Sequence, residues 1–470
     1  MYMFNRSTKL SSGGYRWQEF GLLIVPFLIL LVGMTQLLLV SANDNTQAQF
    51  SLKNLPPTQS LLPVFGLIGV LLIANIVLSM YFRKADQILL PLVGLLCGIG
   101  VLMATRLGPD LKPPDPALGT KQLLFVLLGV AVGLSTLFLL KHMSWLSRYK
   151  YTWAVISFLI LIPSVIHGLQ TLHSAAPTHD QIKLPGGFTL QPSEFLKISI
   201  VIFFAGYLAD NRDVIAQGSV RLLGILRLPP LRQLGPLILM LGVALIFFLI
   251  VRELGIALLI YGLYLSLTYL ASGKLGYVLV NLGIFAVLAF IGYSLLKYVR
   301  LRFVTMGINI VNWTPASESV YQNANGGFQV VQGVIALSSG GIIGSGLGQG
   351  APFQVPVIQS DMVVAALGEE LGLAGMLAII GIYLLIVYRG FRIAMEAPDS
   401  FNKLLAAGLT SIFALQTLVI CAGNMNFFPL TGIGLPFISV GGSSLFANFI
   451  AIGILLRISH NTAMERERLA

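Results

Sequence analysis

The recurrence of long apolar runs constrains the fold of this chain more than any other feature. Each run of roughly 16–27 residues approaches or exceeds the length that a helix needs to cross the hydrocarbon core of a bilayer. Hydrophobic residues make up 56% of the 470 positions and charged residues only 10%, too few charges to cover a soluble domain of this length. The sequence therefore predicts an all-α polytopic membrane protein.

The apolar runs predict about twelve transmembrane helices. They cover residues 20–40, 62–82, 87–106, 121–140, 152–167, 194–209, 235–250, 254–271, 276–297, 362–388, 404–424 and 440–458. The division at Arg252–Glu253 is placed there because the apolar run that starts at 235 is too long for a single crossing.

The first span allows two interpretations. Ser41 and Ala42 would permit cleavage of the 20–40 run as a signal peptide. At about 20 residues, the run is longer than the usual 7–15-residue core of a signal peptide, which favours a retained anchor helix.

The distribution of Lys and Arg predicts the orientation. With the N-terminus inside, 19 of the 29 basic residues fall in inner connections, so we expect both termini to be cytoplasmic. The net charge of +11 is thereby explained by topology, which argues against nucleic-acid binding. A large loop, 298–361, lies between spans 9 and 10 on the predicted extracytoplasmic side.

Ionisable residues at the ends of spans or inside them are candidates for function, because burying them in a membrane is costly. Glu194 and Lys197 lie three residues apart and share a helix face. They could form a structural ion pair, or Lys197 could face a cavity and bind an anion such as phosphate. Arg252 and Glu253 are adjacent and need separate partners, for which Lys197 and Glu194 are candidates.

Asp361 stands where the long loop becomes an apolar helix. It could be a plain helix cap, stabilised by amide groups and the helix dipole, or it could be the reactive group. Glu369 and Glu370 follow inside the same span and predict either a polar cavity or partners on neighbouring helices.

Other sequence features argue against a nucleotide site, a disulfide framework and a metal site built on histidine or cysteine. The segment GSGLGQG (344–350) lacks the Lys-Ser/Thr of a nucleotide-binding loop, so we expect a tight turn or close helix packing and no nucleotide. Cys97 and Cys421 lie in apolar spans, and the five histidines show no metal-ligand spacing.

The motifs QPSEFLK, RELG, GFQVVQGVIALSSGG, SDMVVAALGEELG and TGIGLPFISVGGSS occur in an order that resembles the SEDS family (shape, elongation, division and sporulation), which includes RodA and FtsW. The resemblance covers residues 87–458 and implies a ten-helix core. We therefore divide the chain into 1–86 with two additional helices, a glycosyltransferase core at 87–460, and a short cytoplasmic tail at 461–470.

The resemblance implies a peptidoglycan glycosyltransferase that polymerises lipid II at the outer face of the bacterial cytoplasmic membrane. Asp361 matches the essential aspartate of the family, and its implied role is general base toward the acceptor 4-hydroxyl group. Undecaprenyl pyrophosphate leaves, and its charge needs compensation. Lys197, Arg252 and Arg302 are candidates for this role, together with a divalent cation such as Mg²⁺ or Mn²⁺.

By the same resemblance, further polar residues belong to a substrate-binding or cavity network. These are Glu194, Lys197, Arg252, Glu253, Arg302, Gln329, Gln332, Glu369, Glu370 and Ser443. The chain departs from the family at 252–256, where RELGI stands in place of a PDLGT-like motif. Val440 replaces the usual Tyr before the Gly pair.

The resemblance also implies a class B penicillin-binding protein as partner, acting as the transpeptidase. Two rival functions stay open from the sequence, namely a lipid II flippase and a non-catalytic scaffold for that partner. Roles in elongation, division and sporulation are not distinguished.

Overall fold

The computed structural model describes residues 15–44, 62–170, 182–183, 189–212, 220–222, 226–228, 242, 250–308, 310, 312–323 and 327–469. Most of these residues are helical. The helices are α1 (Trp17–Asp44), α2 (Leu62–Tyr81), α3 (Leu89–Leu107), α4 (Leu118–Leu139), α5 (Ser144–Arg148), α6 (Lys150–Gln170), α7 (Pro192–Asp210), α8 (Leu254–Ser272), α9 (Leu275–Leu295), α10 (Lys297–Met306), α11 (Pro315–Asn323), α12 (Gly327–Ser339), α13 (Val363–Glu396), α14 (Ser400–Asn424) and α15 (Gly442–Leu469).

Short elements complete the described chain. The 3₁₀ turns Gly108–Asp110 and Pro352–Gln354 lie in loops. Two small antiparallel hairpins pair β1 (Ile182–Lys183) with β2 (Thr189–Leu190), and β3 (Val220–Leu222) with β4 (Leu226–Leu228). In the first, Ile182 is opposite Leu190, and in the second, Val220 is opposite Leu228.

Eleven helices of the described residues are long and apolar enough to cross a membrane: α1–α4, α6–α9 and α13–α15. They coincide with eleven of the twelve predicted spans, so the prediction of an all-α polytopic membrane protein is confirmed. The remaining predicted span, 235–250, lies almost entirely outside the described residues.

Local sequence signals explain where several helices begin and end. Pro192 is at the first position of α7, where a missing N–H costs nothing. α8 ends at Gly273, whose positive φ of 65° gives the left-handed cap that glycine adopts without strain. Asp399 starts α14 by accepting a hydrogen bond from the Asn402 amide at 2.7 Å.

Glycines allow α4 and α15 to pack with their backbones in close approach. A Cβ added at Gly453 would lie 2.6 Å from the Gly133 carbonyl oxygen, and one added at Gly133 would lie 2.9 Å from the Phe449 carbonyl oxygen. Small residues at such contacts are the usual means of helix association in a bilayer, where no hydrophobic effect draws apolar helices together.

The two N-terminal helices are joined to the rest of the chain by a buried polar node around Arg16. Arg16 forms an ion pair with Glu19 and donates hydrogen bonds to the carbonyl oxygens of Phe82 (2.8 Å) and Asp86 (2.6 Å). The Asp86 carboxylate in turn pairs with Arg389 of α13. The start of α1, the segment after α2 and the C-terminal part of α13 are therefore held together by hydrogen bonds and ion pairs.

We predict that Gly453→Ala destabilises the protein by about 1–3 kcal/mol, because the new methyl group meets backbone and not a flexible side chain. The melting midpoint of purified protein in detergent measures this. Gly69→Ala in α2 is the matched control, since a Cβ there meets nothing within 4 Å. Equal midpoints for the two variants would contradict the close-packing argument.

Candidate active site

Asp361 lies just before α13 and does not cap it. The capping position is Met362, which makes no side-chain cap hydrogen bond, and α13 starts at Val363. The interpretation of Asp361 as a plain helix cap is therefore wrong. Its side chain is half-buried, and its backbone carbonyl accepts a hydrogen bond of 2.9 Å from Asn424 Nδ2 at the end of α14.

The loop between α14 and α15 holds the segment that leads into Asp361. Ser439 Oγ donates to the Ser360 carbonyl oxygen (2.7 Å), and the Val440 amide donates to the Gln359 carbonyl oxygen (2.9 Å). Gln122 of α4 donates to the Ser439 carbonyl oxygen at 3.3 Å. Since Val440 contributes only its backbone to this contact, the departure from the family's Tyr leaves the contact intact.

Opposing influences act on the Asp361 carboxyl group. Burial raises its pKa, because the anion loses water. A hydrogen bond with the Ser360 side chain and the positive charge of Arg302 act in the opposite direction. The net effect is a pKa above the ordinary value, which makes the carboxylate a stronger base than an exposed aspartate.

Arg302 of α10 is under the electrostatic influence of two acidic groups. Burial lowers the pKa of Arg302, and attraction to Glu253 and Asp361 partly offsets this effect. The guanidinium also donates a hydrogen bond to the Leu430 carbonyl oxygen in the loop that follows α14. Arg302 therefore links the 298–361 loop, at whose end Asp361 lies, to the loop after α14.

The RELG motif brings Arg252 and Glu253 to the same place. Arg252 has a positive φ of 59°, and Glu253 is 1% exposed. A Cβ added at Gly255 would lie 2.8 Å from the Thr431 carbonyl oxygen, so the motif packs directly on the loop after α14. Burial raises the pKa of Tyr298 on α10, against the influence of the nearby Arg302 and Arg252 charges.

We call these five residues, Arg252, Glu253, Tyr298, Arg302 and Asp361, the outer charge cluster. The cluster assembles side chains from three separated segments of the sequence. Sequence reasoning identified its charged members, but not that Arg302 would interact with both Glu253 and Asp361.

Glu194 and Lys197 form the structural ion pair that was one of the two predicted alternatives. Lys197 Nζ lies 2.7 Å from Glu194 Oε2 and donates to Gln416 Oε1 at 2.8 Å. Gln416 Nε2 donates to the Gly434 carbonyl oxygen at 2.8 Å. Lys197 is only 1% exposed, so its ammonium group is committed to these internal partners. The pair links α7 and α14 to the loop that supports Asp361.

Glu370 has a partner on a neighbouring helix, as one predicted alternative required, and both Glu369 and Glu370 also accept hydrogen bonds from a loop. Glu369 Oε1 accepts from the Ala351 amide at 2.8 Å. Glu370 accepts from Arg106 Nε of α3 at 3.0 Å and from the Gly348 amide at 3.2 Å. The two carboxylates therefore bind the glycine-rich segment 340–351, which we call the glycine loop.

The glycine loop enters a break in α13. Gly372 has φ 67° and ψ −172°, values that interrupt the helix. The interruption leaves two amides available to the loop. The Leu373 amide donates to the Gly341 carbonyl oxygen, and the Ala374 amide donates to the Ile342 carbonyl oxygen, both at 3.0 Å. A Cβ at 372 would lie 2.7 Å from the Ile342 carbonyl oxygen, so only glycine fits.

The other predicted network residues make local contacts of their own. Gln332 of α12 donates to the Tyr321 hydroxyl group at 3.3 Å, and Gln329 is half-buried on the same helix. Ser443 Oγ accepts from the Gln191 amide (3.1 Å) and donates to the Thr189 carbonyl oxygen (3.3 Å), which holds the segment before α7.

Sequence reasoning missed four residues that position the site: Arg106, Gln416, Asn424 and Ser439. Gln416 and Asn424 carried a usable signal, because polar amides in apolar spans require buried hydrogen-bond partners. Arg106 was counted only as a topological charge, and Ser439 resembled an ordinary loop residue.

The divalent cation stays a prediction. Among the described residues, no group of three or more His, Cys, Asp and Glu side chains is arranged to hold a metal ion. No chemical step is therefore assigned to a metal ion.

Comparison with known proteins decides the family. The sequence profile of the FtsW/RodA/SpoVE family, described as "Cell cycle protein", matches residues 86–464. The chain belongs to this family. The profile starts between α2 and α3, so within the FtsW/RodA/SpoVE family the helices α1 and α2 precede the shared region.

Individual relatives agree with the profile. Peptidoglycan glycosyltransferase RodA of Mycobacterium leprae is 35% identical over 398 residues, which are 83% of this chain and 80% of that protein. Stage V sporulation protein E of Bacillus subtilis is 30% identical, over 80% of this chain and 96% of its own length. A chain from a solved peptidoglycan synthase complex shares the fold, with a TM-score of 0.60, 22% identity, and coverage of 80% of this chain and 98% of that one.

We predict that Glu370→Gln loosens the glycine loop and destabilises the protein by about 3 kcal/mol, because it removes a fully buried charge that faces Arg106. The melting midpoint and the rate of proteolytic cleavage within 340–351 report these effects. Glu396→Gln on the same helix is the control, since its pairs with Arg392 and Arg466 are exposed and such pairs contribute at most about 1 kcal/mol each. Cleavage rates that match between the two variants would count against the assigned role of Glu370.

Proposed function

We propose that this chain polymerises lipid II into glycan strands, with Asp361 as general base. The chain is a peptidoglycan glycosyltransferase, the activity for which its RodA relatives are named. The position of Asp361 carries the proposal, because a half-buried carboxyl group with a raised pKa lies beside a cationic side chain in the outer charge cluster.

In the proposed reaction, Asp361 removes the proton from the 4-hydroxyl group of the acceptor sugar. The oxygen then bonds to the anomeric carbon of the donor chain, while the bond from that carbon to the pyrophosphate oxygen breaks. A general base contributes about 10²–10⁴-fold to such a rate, most effectively when its pKa is close to the working pH. The raised pKa of Asp361 supports this role.

Departing undecaprenyl pyrophosphate carries negative charge that the protein must offset. Arg302 and Arg252 are half-buried cations of the outer charge cluster and are proposed to supply this compensation. Lys197 is assigned a different task, since it is enclosed by Glu194 and Gln416. It holds α7 against α14 and so positions the loop below Asp361.

The proposed working face is the extracytoplasmic side of the bacterial cytoplasmic membrane, with both chain termini in the cytoplasm. The distribution of Lys and Arg along the chain supports this orientation.

A class B penicillin-binding protein is proposed as the crosslinking partner. The similarity of fold to a chain from a peptidoglycan synthase complex that coordinates polymerisation and crosslinking supports such a partner.

Asp361→Asn is expected to reduce lipid II polymerisation at least about 100-fold, because the amide cannot accept the proton. Purified protein in detergent, with its transpeptidase partner, is given lipid II, and the glycan products are separated by gel electrophoresis. Asp115→Asn is the control, since Asp115 is a carboxylate of the loop between α3 and α4 that pairs with Lys121 at 2.6 Å.

The outcomes separate the rival functions. Full polymerisation by a folded Asp361→Asn protein would remove Asp361 from the mechanism. If the wild-type protein makes no glycan with its partner but moves lipid II across a bilayer, the chain is a flippase. Absence of both activities, with stimulation of a partner's synthesis, would indicate a scaffold.

Arg302→Gln is expected to move the acidic limb of the pH–rate profile to higher pH. Arg302 lowers the pKa of Asp361, so its removal raises that pKa further, and a higher pH is needed to form the carboxylate. Plots of log kcat/KM against pH measure the shift. Arg300→Gln is the control, because Arg300 is exposed on the same helix and bonds to the Ser294 carbonyl oxygen at 3.0 Å. A limb that stays in place or moves to lower pH would contradict the electrostatic influence of Arg302 on Asp361.

A further inference from the structure

A cavity of about 1100 Å³ lies among α4, α5, α6, α7 and α15, away from the outer charge cluster. Its interior is apolar, with Ile160, Ile202 and Ile454 among the lining residues. A cavity of this size can hold a lipid acyl chain or a drug-sized ligand. The glycosyl transfer proposed for Asp361 does not use it.

The mouth of the cavity is cationic. Lys141, His142 and Arg148 line it, and among the described residues that surround the cavity none is acidic. Lys141 and Arg148 are exposed, and neither forms an ion pair with a described residue. The nearby Lys150 contrasts with them, because it is neutralised by Asp210. The charge at the mouth therefore suits an anion.

The cavity opens at the end of the helices opposite Asp361. Gln122, near the start of α4, bonds to Ser439 beneath the Asp361 segment, whereas Leu139 and Lys141, at the end of α4, line the cavity. The helical stretch from Gln122 to Leu139 separates these points by roughly 26 Å, close to the thickness of a bilayer core. Trp145 and Tyr149 at the mouth are exposed aromatic residues of the kind that line membrane interfaces.

We propose that this cavity binds an anionic phospholipid from the leaflet opposite the active site. The phosphate group lies between Lys141 and Arg148, and one acyl chain enters the apolar interior. Basic pockets between transmembrane helices are the usual recognition sites for anionic headgroups. Phe195 and Ile198 of α7 line the interior, so the lipid contacts the helix that carries the Glu194–Lys197 pair.

Fluorescence quenching by brominated lipids tests the proposal on the full chain. The chain has four Trp residues, and Trp17→Phe with Trp313→Phe leaves Trp145 and Trp153, both at the cavity. The protein is placed in phosphatidylcholine vesicles that contain brominated phosphatidylglycerol or brominated phosphatidylcholine. We expect phosphatidylglycerol to bind about 5–30-fold more tightly, since each basic residue near a membrane contributes about fivefold.

Two double variants distinguish lipid binding at this cavity from a general effect of positive charge. Lys141→Gln with Arg148→Gln is expected to bring the preference for phosphatidylglycerol close to one. The double variant Lys403→Gln with Arg468→Gln removes two exposed cations at the same end of the helices but outside the cavity. It is expected to preserve the preference for phosphatidylglycerol. Equal preferences in these two double variants would overturn the proposal.

Two further measurements test the acyl chain and the phosphate group separately. Ile160→Phe fills the interior and keeps the cations, so it should weaken quenching by both brominated lipids if an acyl chain enters. Unchanged quenching in this variant would overturn the binding mode. Inorganic phosphate is added as a soluble competitor, and complete loss of the lipid preference at millimolar phosphate would show a site for free anions and not for a lipid.

Discussion

The attachment of the glycine loop to α13 is the interaction on which the candidate active site depends. A continuous helix would have no spare amides for the loop, and the break at Gly372 supplies them. Glu369 and Glu370 then bind amides on the other side of the loop, and Arg106 neutralises one of these carboxylates. The buried charges of this span therefore stabilise a turn of backbone that would otherwise be costly in a membrane.

Around this attachment, separate pieces of chain meet at Asp361. Asn424, at the end of α14, donates a hydrogen bond to the Asp361 carbonyl oxygen. Ser439 donates one to the Ser360 carbonyl oxygen. The carboxylate itself is left to Ser360 and Arg302. Hydrogen bonds to backbone carbonyl groups fix the position of the residue. Burial raises the pKa of its carboxyl group, and Ser360 and Arg302 act in the opposite direction.

Much of the fold could be predicted because apolar length directly encodes a membrane span. The predicted 62–82 and 254–271 differ from Leu62–Tyr81 and Leu254–Ser272 by one residue at one end. The break at Gly372 could not be predicted, since hydropathy does not register a glycine with positive φ inside an apolar run. Asp361 was a candidate because it stands where the long loop becomes an apolar helix, and the family resemblance implied its role as general base. The electrostatic influence of Arg302 on Asp361 could not be predicted, because the two residues are far apart in sequence.

The polar node at Arg16 shows that α1 and α2 cannot be removed without disturbing the rest of the fold. The family profile begins at residue 86, yet the carbonyl group of Asp86 is a hydrogen-bond acceptor for Arg16, which precedes α1. Leu30 and Met34 of α1 are also fully buried, within the same apolar core as α3. The boundary of homology is thus not a boundary of folding. Shortening the chain to its shared region would cut through a hydrogen-bonded interior and expose one side of α3.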